Sequence, residues 1–225
     1  MRLVFLGLAG AGKGTQAKMV ADHLGIPFVA SGDLFRYHQA KGTELGLLAK
    51  GYMERGALVP DNVTIKMILE RIGQKDAKNG FVLDGFPRTL QQAEALDQAL
   101  GKGSIDAALY VRVREEELVR RLSGRISCRQ CGTPYQKEIL ESQGVTRCPS
   151  CGGELYQRAD DAPDVVRRRL QVQRPEIMCL VDYYAGQEKL TEVEGEQSVE
   201  AVGQEVLKAL SRYAAAARPV KARRT

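Results

Sequence analysis

Residues Gly7-Leu-Ala-Gly-Ala-Gly12-Lys13-Gly14-Thr15 carry the spacing G-x-x-x-x-G-K. Glycines at this density let successive backbone N–H groups converge on phosphate oxygens, a following helix adds its positive dipole end, and the Lys13 ammonium supplies a full charge. The implied chemistry is the binding of a nucleoside triphosphate, with Gly10, Ala11, Gly12, Lys13, Gly14 and Thr15 around its phosphates. The general pattern places Ser or Thr directly after the lysine to ligate magnesium. Here Gly14 stands there and Thr15 follows one position late, so no hydroxyl is expected on the metal directly. Asp84, closing an apolar run beside Gly85, offers a carboxylate that would reach Mg2+ through bound water, since this ion sheds its hydration shell reluctantly.

A second constellation is Cys128-Arg-Gln-Cys131, sixteen residues, then Cys148-Pro-Ser-Cys151, with Gly132 and Gly152 just after the two pairs. Four thiolates close a tetrahedral shell and leave no open position, so the implied Zn2+ is structural rather than catalytic. Two disulfides are the competing reading and belong to oxidising compartments. Residues 1–12 begin like a secretory leader, but Lys13 breaks the run and Gly7, Gly10, Gly12 and Gly14 replace the hydrophobic helix a leader needs. The expectation is a cytoplasmic chain whose quartet holds metal. Cys179 is read as a buried small hydrophobe, and His23 and His38 show no ligand spacing.

These residues need a scaffold. The chain has 225 residues, 44% hydrophobic and 27% charged, enough for one compact domain with inserts. Short apolar runs at 2–6, 27–30, 80–84, 107–113 and 190–193 read as buried strands. Helical patterns begin near Gly12 and at 61–73, 89–100, 114–123, 163–186 and 198–215. The alternation predicts an α/β fold, a doubly wound parallel sheet with helices on both faces. Two stretches break the rhythm: 31–60, helical without a strand, and 124–161, rich in Cys, Gly, Pro and Tyr. Both are expected as insertions over the carboxyl ends of the strands, where ligands bind in such sheets. Net charge is +5, yet removing residues 216–225 leaves 29 basic against 28 acidic residues. The body is nearly neutral and the basic tail is expected to be disordered.

Three further motifs lie in register with the phosphate loop: Ser31-Gly-Asp-Leu-Phe-Arg36, Gly56-Ala-Leu-Val-Pro-Asp61 and Asp84-Gly-Phe-Pro-Arg88-Thr-Leu-Gln-Gln92. Together with Gly10-Ala-Gly-Lys-Gly-Thr-Gln16 they resemble the adenylate kinases of the long-lid, zinc-bearing type, from Met1 to about Ser211. The resemblance implies a five-stranded P-loop core in the order 2-3-1-4-5, made of 1–30, 61–123 and 162–215. It also implies a monophosphate-binding insert at 31–60 and a zinc-stapled lid at 124–161. The implied activity is Mg2+-dependent transfer of a phosphoryl group between ATP and AMP, giving ADP, by a monomer with no nucleic-acid or membrane partner. By the same resemblance Lys13, Arg88, Arg125, Arg158 and Arg169 are catalytic, with Arg121, Arg125, Tyr135 and Gln197 also at ATP. The AMP side would comprise Ser31, Arg36, Ala57, Leu58, Val59, Gly85, Phe86, Pro87, Arg88, Gln92, Arg158 and Arg169, with Asp33 behind the metal. The chain departs from the pattern at Ala9, where proline is usual and its loss frees the loop, and at Pro134, where a polar residue is more common.

Other functions fit less well. A GTPase switch lacks its N-K-x-D guanine motif here, and a zinc-ribbon nucleic-acid binder would need a basic body and more stacking aromatics than Tyr135 and Tyr156. A GTP:AMP phosphotransferase shares most of the motifs, whereas uridylate–cytidylate kinases resemble this chain with a much shorter lid.

Overall fold

The computed structural model describes residues 1–216, with side-chain surroundings described to residue 213; the predicted basic tail lies from residue 217 onward outside the described residues. Its centre is a parallel sheet of β1 (Arg2–Leu6), β2 (Phe28–Ala30), β3 (Phe81–Asp84), β4 (Ala107–Arg112) and a C-terminal strand, Leu190–Glu194. The order is β2, β3, β1, β4 and then the C-terminal strand, as the resemblance implied. β1 is central and buried on both faces, and alternation of its side chains divides the core in two. Leu3 and Phe5 join one cluster with Leu109 and Val111, while Val4 and Leu6 join the other with Leu83 and Ile68.

The first cluster is covered by α1 (Lys13–Leu24), α6 (Glu115–Ser123) and α9 (Val199–Ala216). The second is covered by α2 (Ser31–Ala40), α3 (Glu44–Glu54), α4 (Asp61–Ile72) and α5 (Leu90–Leu100). α2 and α3 form the strandless insert expected at 31–60, and α3 and α5 begin on the threonine caps Thr43 and Thr89. The long α8 (Pro163–Ala185) serves both sides: Val166 and Leu170 enter the first cluster, Ile177, Leu180 and Tyr184 the second. Cys179 on this helix is exposed, not buried as its residue type suggested.

Residues 124–161 hold a second sheet that short sequence runs did not reveal. β5 (Arg125–Cys128) lies between β6 (Pro134–Gln136) and β7 (Leu155–Tyr156), all antiparallel, with α7 (Lys137–Ser142) following β6. Leu190–Glu194 is accordingly β8. Within this segment Cys128, Leu140 and Cys148 are the only buried apolar residues. Such a unit has almost no hydrophobic core of its own.

Candidate active site

Asp84 and the phosphate loop are brought together by strand register. Phe5 of β1 pairs with Asp84 of β3, so the loop leaving β1 and the carboxylate ending β3 stand side by side. Gly7, Gly10 and Gly12 take positive φ values of 138°, 84° and 88°. No side chain caps α1 at Gly12, so the first-turn N–H groups face outward, as an anion requires. The residue type at position 14 now has a reason: a Cβ there would stand 3.0 Å from Asp84 Oδ2. Glycine leaves room between carboxylate and loop, and the donor set suits a hydrated Mg2+.

The loop opens into a cleft of about 1980 Å³ at the carboxyl ends of the strands, bordered also by the 31–60 insert and the 124–161 segment. Its lining includes Gly10, Gly12, Lys13, Gly14 and Thr15 together with Arg121 and Gln197. It also includes Ser31, Arg36, Ala57, Leu58, Val59, Gly85, Pro87, Arg88 and Gln92. Arg125, Arg158 and Arg169 border the same cavity. Ala11 and Phe86 do not: their side chains are packed in the two cores, leaving only their main chain for a ligand. Tyr135 does not border it either. Along β6 the flanking Pro134 and Gln136 face the cleft, so Tyr135 points to the opposite side. Its hydroxyl meets Cys148 Sγ at 3.2 Å and Ser150 Oγ at 2.8 Å.

Gly85 is the pivot of the insert end. At φ 71° its carbonyl accepts from Ser31 Oγ at 2.6 Å and from Arg88 Nε at 2.8 Å. A Cβ at Gly85 would come within 2.8 Å of Ser31 Oγ, so both arms depend on glycine. Gln92 is buried and fixed at both ends of its amide: Oε1 accepts from the Arg88 backbone N–H at 2.7 Å, and Nε2 donates to Asp61 Oδ1 at 2.8 Å. Thr89, the cap of α5, donates to the other Asp61 oxygen at 2.7 Å. Asp33 is ion-paired with the Arg36 guanidinium, and both Asp33 and Asp84 line the cleft.

The cations crowd one another. Burial pushes the Lys13 ammonium down from 10.5 to about 8; Asp84 pulls it up, and Arg88, Arg169 and Arg125 push it further down. Burial first and Arg169 next bring Arg88 to about 10, and burial with Arg36 and Arg125 brings Arg158 to about 10. Two acids missed in the sequence offset part of this charge. Asp161, wholly buried, binds the Arg125 guanidinium through both oxygens, with Arg125 Nε at 2.7 Å. Asp160 accepts from Arg169 Nη1 at 2.9 Å; burial raises the Asp160 carboxyl, but Arg169, Arg125, Arg158 and Arg36 outweigh it and hold it low. Arg158 Nε is buried with no partner among the described residues. The consecutive acids Asp160-Asp161 were the sequence signal available. Arg121 is held by Glu117 Oε1 at 2.6 Å and by the Gly195 carbonyl at 3.0 Å.

The cysteine quartet converges. All four sulfurs lie within 4.8 Å of one another, with Cys128 to Cys151 at 3.5 Å and Cys131 to Cys148 at 3.6 Å. Zn–S bonds of about 2.3 Å set tetrahedral sulfurs about 3.8 Å apart, so the site suits zinc. Each pair turns on an equivalent knuckle: Gly132 N–H donates to the Cys128 carbonyl and Gly152 N–H to the Cys148 carbonyl.

Fold and cleft together define a P-loop nucleotide-binding protein whose cleft is lined by a second group of cationic side chains besides the loop. Comparison with known proteins narrows this. The family described as Adenylate kinase matches residues 5–189. Curated relatives named adenylate kinase include one from Archaeoglobus fulgidus, 49% identical over 92% of this chain and 96% of its own length. Others come from Thermodesulfovibrio yellowstonii, 48% identical over 90% and 95%, and Salinispora tropica, 46% identical over 95% and 99%. The chain belongs to the adenylate kinase family.

Proposed function

We propose that this chain catalyses ATP + AMP ⇌ 2 ADP, with magnesium, in the maintenance of adenine nucleotide pools. The observation that carries the reading is that the phosphate loop, Arg36, Arg88, Arg125, Arg158 and Arg169 all line one cleft. Transfer breaks the bond between the γ-phosphorus and the β,γ-bridging oxygen of ATP and forms one to an AMP phosphate oxygen. That nucleophile is already anionic and needs no strong base, so the task is alignment and charge neutralisation. Lys13 and the loop N–H groups would hold the β- and γ-phosphates. Arg36 and Arg88 would hold the AMP phosphate, bidentately and without titrating. Arg125 and Arg169 would exchange Asp161 and Asp160 in part for the transferring group, and Arg158 would bring its unpaired Nε to it. Gln92 would meet the AMP base, Ser31 and 57–59 would line its pocket, and Arg121 and Gln197 would face the ATP base.

Asp84 would orient Mg2+ through water; the ion, when bound, spreads phosphate charge. Cys128, Cys131, Cys148 and Cys151 would hold one Zn2+ per chain, bracing a lid at 124–161 over a core of 1–30, 61–123 and 162–215 and an AMP insert at 31–60. Completion of the cleft within one chain supports a monomer. The nearly balanced body supports a protein without a nucleic-acid partner. Among the described residues no helix is long and apolar enough to cross a membrane, and we assign the protein to the cytoplasm with no membrane partner. An initial-rate panel pairing ATP, GTP and CTP with AMP, UMP, CMP and GMP tests the reading. ATP with AMP should be fastest; failure of that pair to yield ADP would overturn it.

A further inference from the structure

Ala9 lies in the first half of the phosphate loop. With alanine the position keeps an N–H and a torsional freedom that a proline ring removes. Yet the N–H is not free. It donates to Gln173 Oε1 at 3.2 Å, in buried surroundings and across 164 positions of sequence. Gln173 is 6% exposed and is flanked on α8 by Leu170 and Ile177, which are buried in the two opposite cores. The acceptor therefore stands on a rigid post. It also lies one helical turn beyond Arg169, so one face of α8 carries both a guanidinium for the cleft and an oxygen for the loop. Burying an amide is costly unless it is paired, and this bond to Ala9 is the pairing found for Gln173 among the described residues.

We propose that Gln173 is a positioning residue for phosphoryl transfer: its amide oxygen docks Ala9 on α8 and presets the loop for the triphosphate. The proposal rests on the reading of the loop as the triphosphate site and goes beyond it, because Gln173, although its side chain borders the cleft, makes its hydrogen bond to the loop backbone.

A double-mutant cycle tests it. Gln173→Met keeps length and bulk but removes the acceptor. It should raise KM for ATP about 5- to 10-fold, the size of one buried hydrogen bond, and leave KM for AMP unaltered. Hydrogen exchange of the Ala9 amide in the free protein should quicken in the same variant. In an Ala9→Pro background there is no N–H to hold, so adding Gln173→Met should cost nothing further, and the double variant should recover most of the lost ATP affinity. An equal loss in both backgrounds would mark a general packing role and overturn the proposal. So would unchanged Ala9 exchange in Gln173→Met. Should that single variant not fold, the double variant decides alone: weak ATP binding in a folded double variant refutes the idea. Absence of transfer in the parent protein would instead refute the proposed reaction, because amide exchange and ATP binding are read without turnover.

Discussion

Arg88 is the side chain on which the proposed AMP end would depend most. It is half-buried, anchored to Gly85 and pressed by Arg169, an arrangement that an arriving anion would relieve. Arg88→Ala should lower turnover by about 1000-fold, within the range of arginines that neutralise phosphoryl transfer, while the melting temperature stays close to that of the parent. Near-normal turnover in a coupled assay would remove Arg88 from the site. Lys13 gives a pH signature. In the free protein it titrates near 8, and a polyphosphate beside it favours the ammonium, so binding ATP should take up a proton near and above pH 8. Affinity should fall as pH rises through that point. Titration calorimetry in buffers of different ionisation enthalpy measures the uptake; none at pH 8.5 would contradict the burial of this lysine. Without ligand, the unfolded chain holds the Lys13 proton more tightly, so this group adds stability as pH climbs from about 8 towards 10.5. The loop, Arg88 and the cysteines were legible because their chemistry demands fixed spacing over a few residues. Asp161 with Arg125, 36 positions apart, and Gln173 with Ala9 were not, since only folding brings them together.

In the segment 124–161 short elements surround a convergent cysteine quartet. β7 has two residues and β6 three, too few for any periodic pattern, which is why this sheet escaped notice while β1 to β4 and β8 stood out as apolar runs. With only three buried apolar residues, the knuckles need a cross-link. Metal analysis should find about one zinc per chain, and a strong chelator should lower the melting temperature while leaving the Ala9 and Lys13 amides as protected as before. Zinc-free purified protein with four freely reactive thiols would argue against the assignment. Pro134 and Gln136 border the cleft while Tyr135 between them touches Cys148. The strand that borders the cleft is therefore tied to the cysteine cluster by its middle residue.

Across the molecule, charge and water decide the architecture. The parallel sheet delivers the loop, Asp84 and Gly85 to one edge because all its strands end there. The two insertions overhang that edge, and in phosphoryl transfer such covers serve to keep water from intercepting the group. The acids at 160 and 161 offset part of the charge of the cationic wall through their pairs with Arg169 and Arg125. Two nucleotides would lie end to end in one cleft, their phosphates bridged by Lys13, Arg36, Arg88, Arg125, Arg158 and Arg169. Calorimetric titration with two adenosines joined through five phosphates checks this arrangement. One molecule should bind per chain with Kd below about 1 μM, a free energy beyond about 8 kcal/mol, and ATP alone and AMP alone should each compete with it. Absence of binding, or two weak and independent binding events per chain, would contradict it.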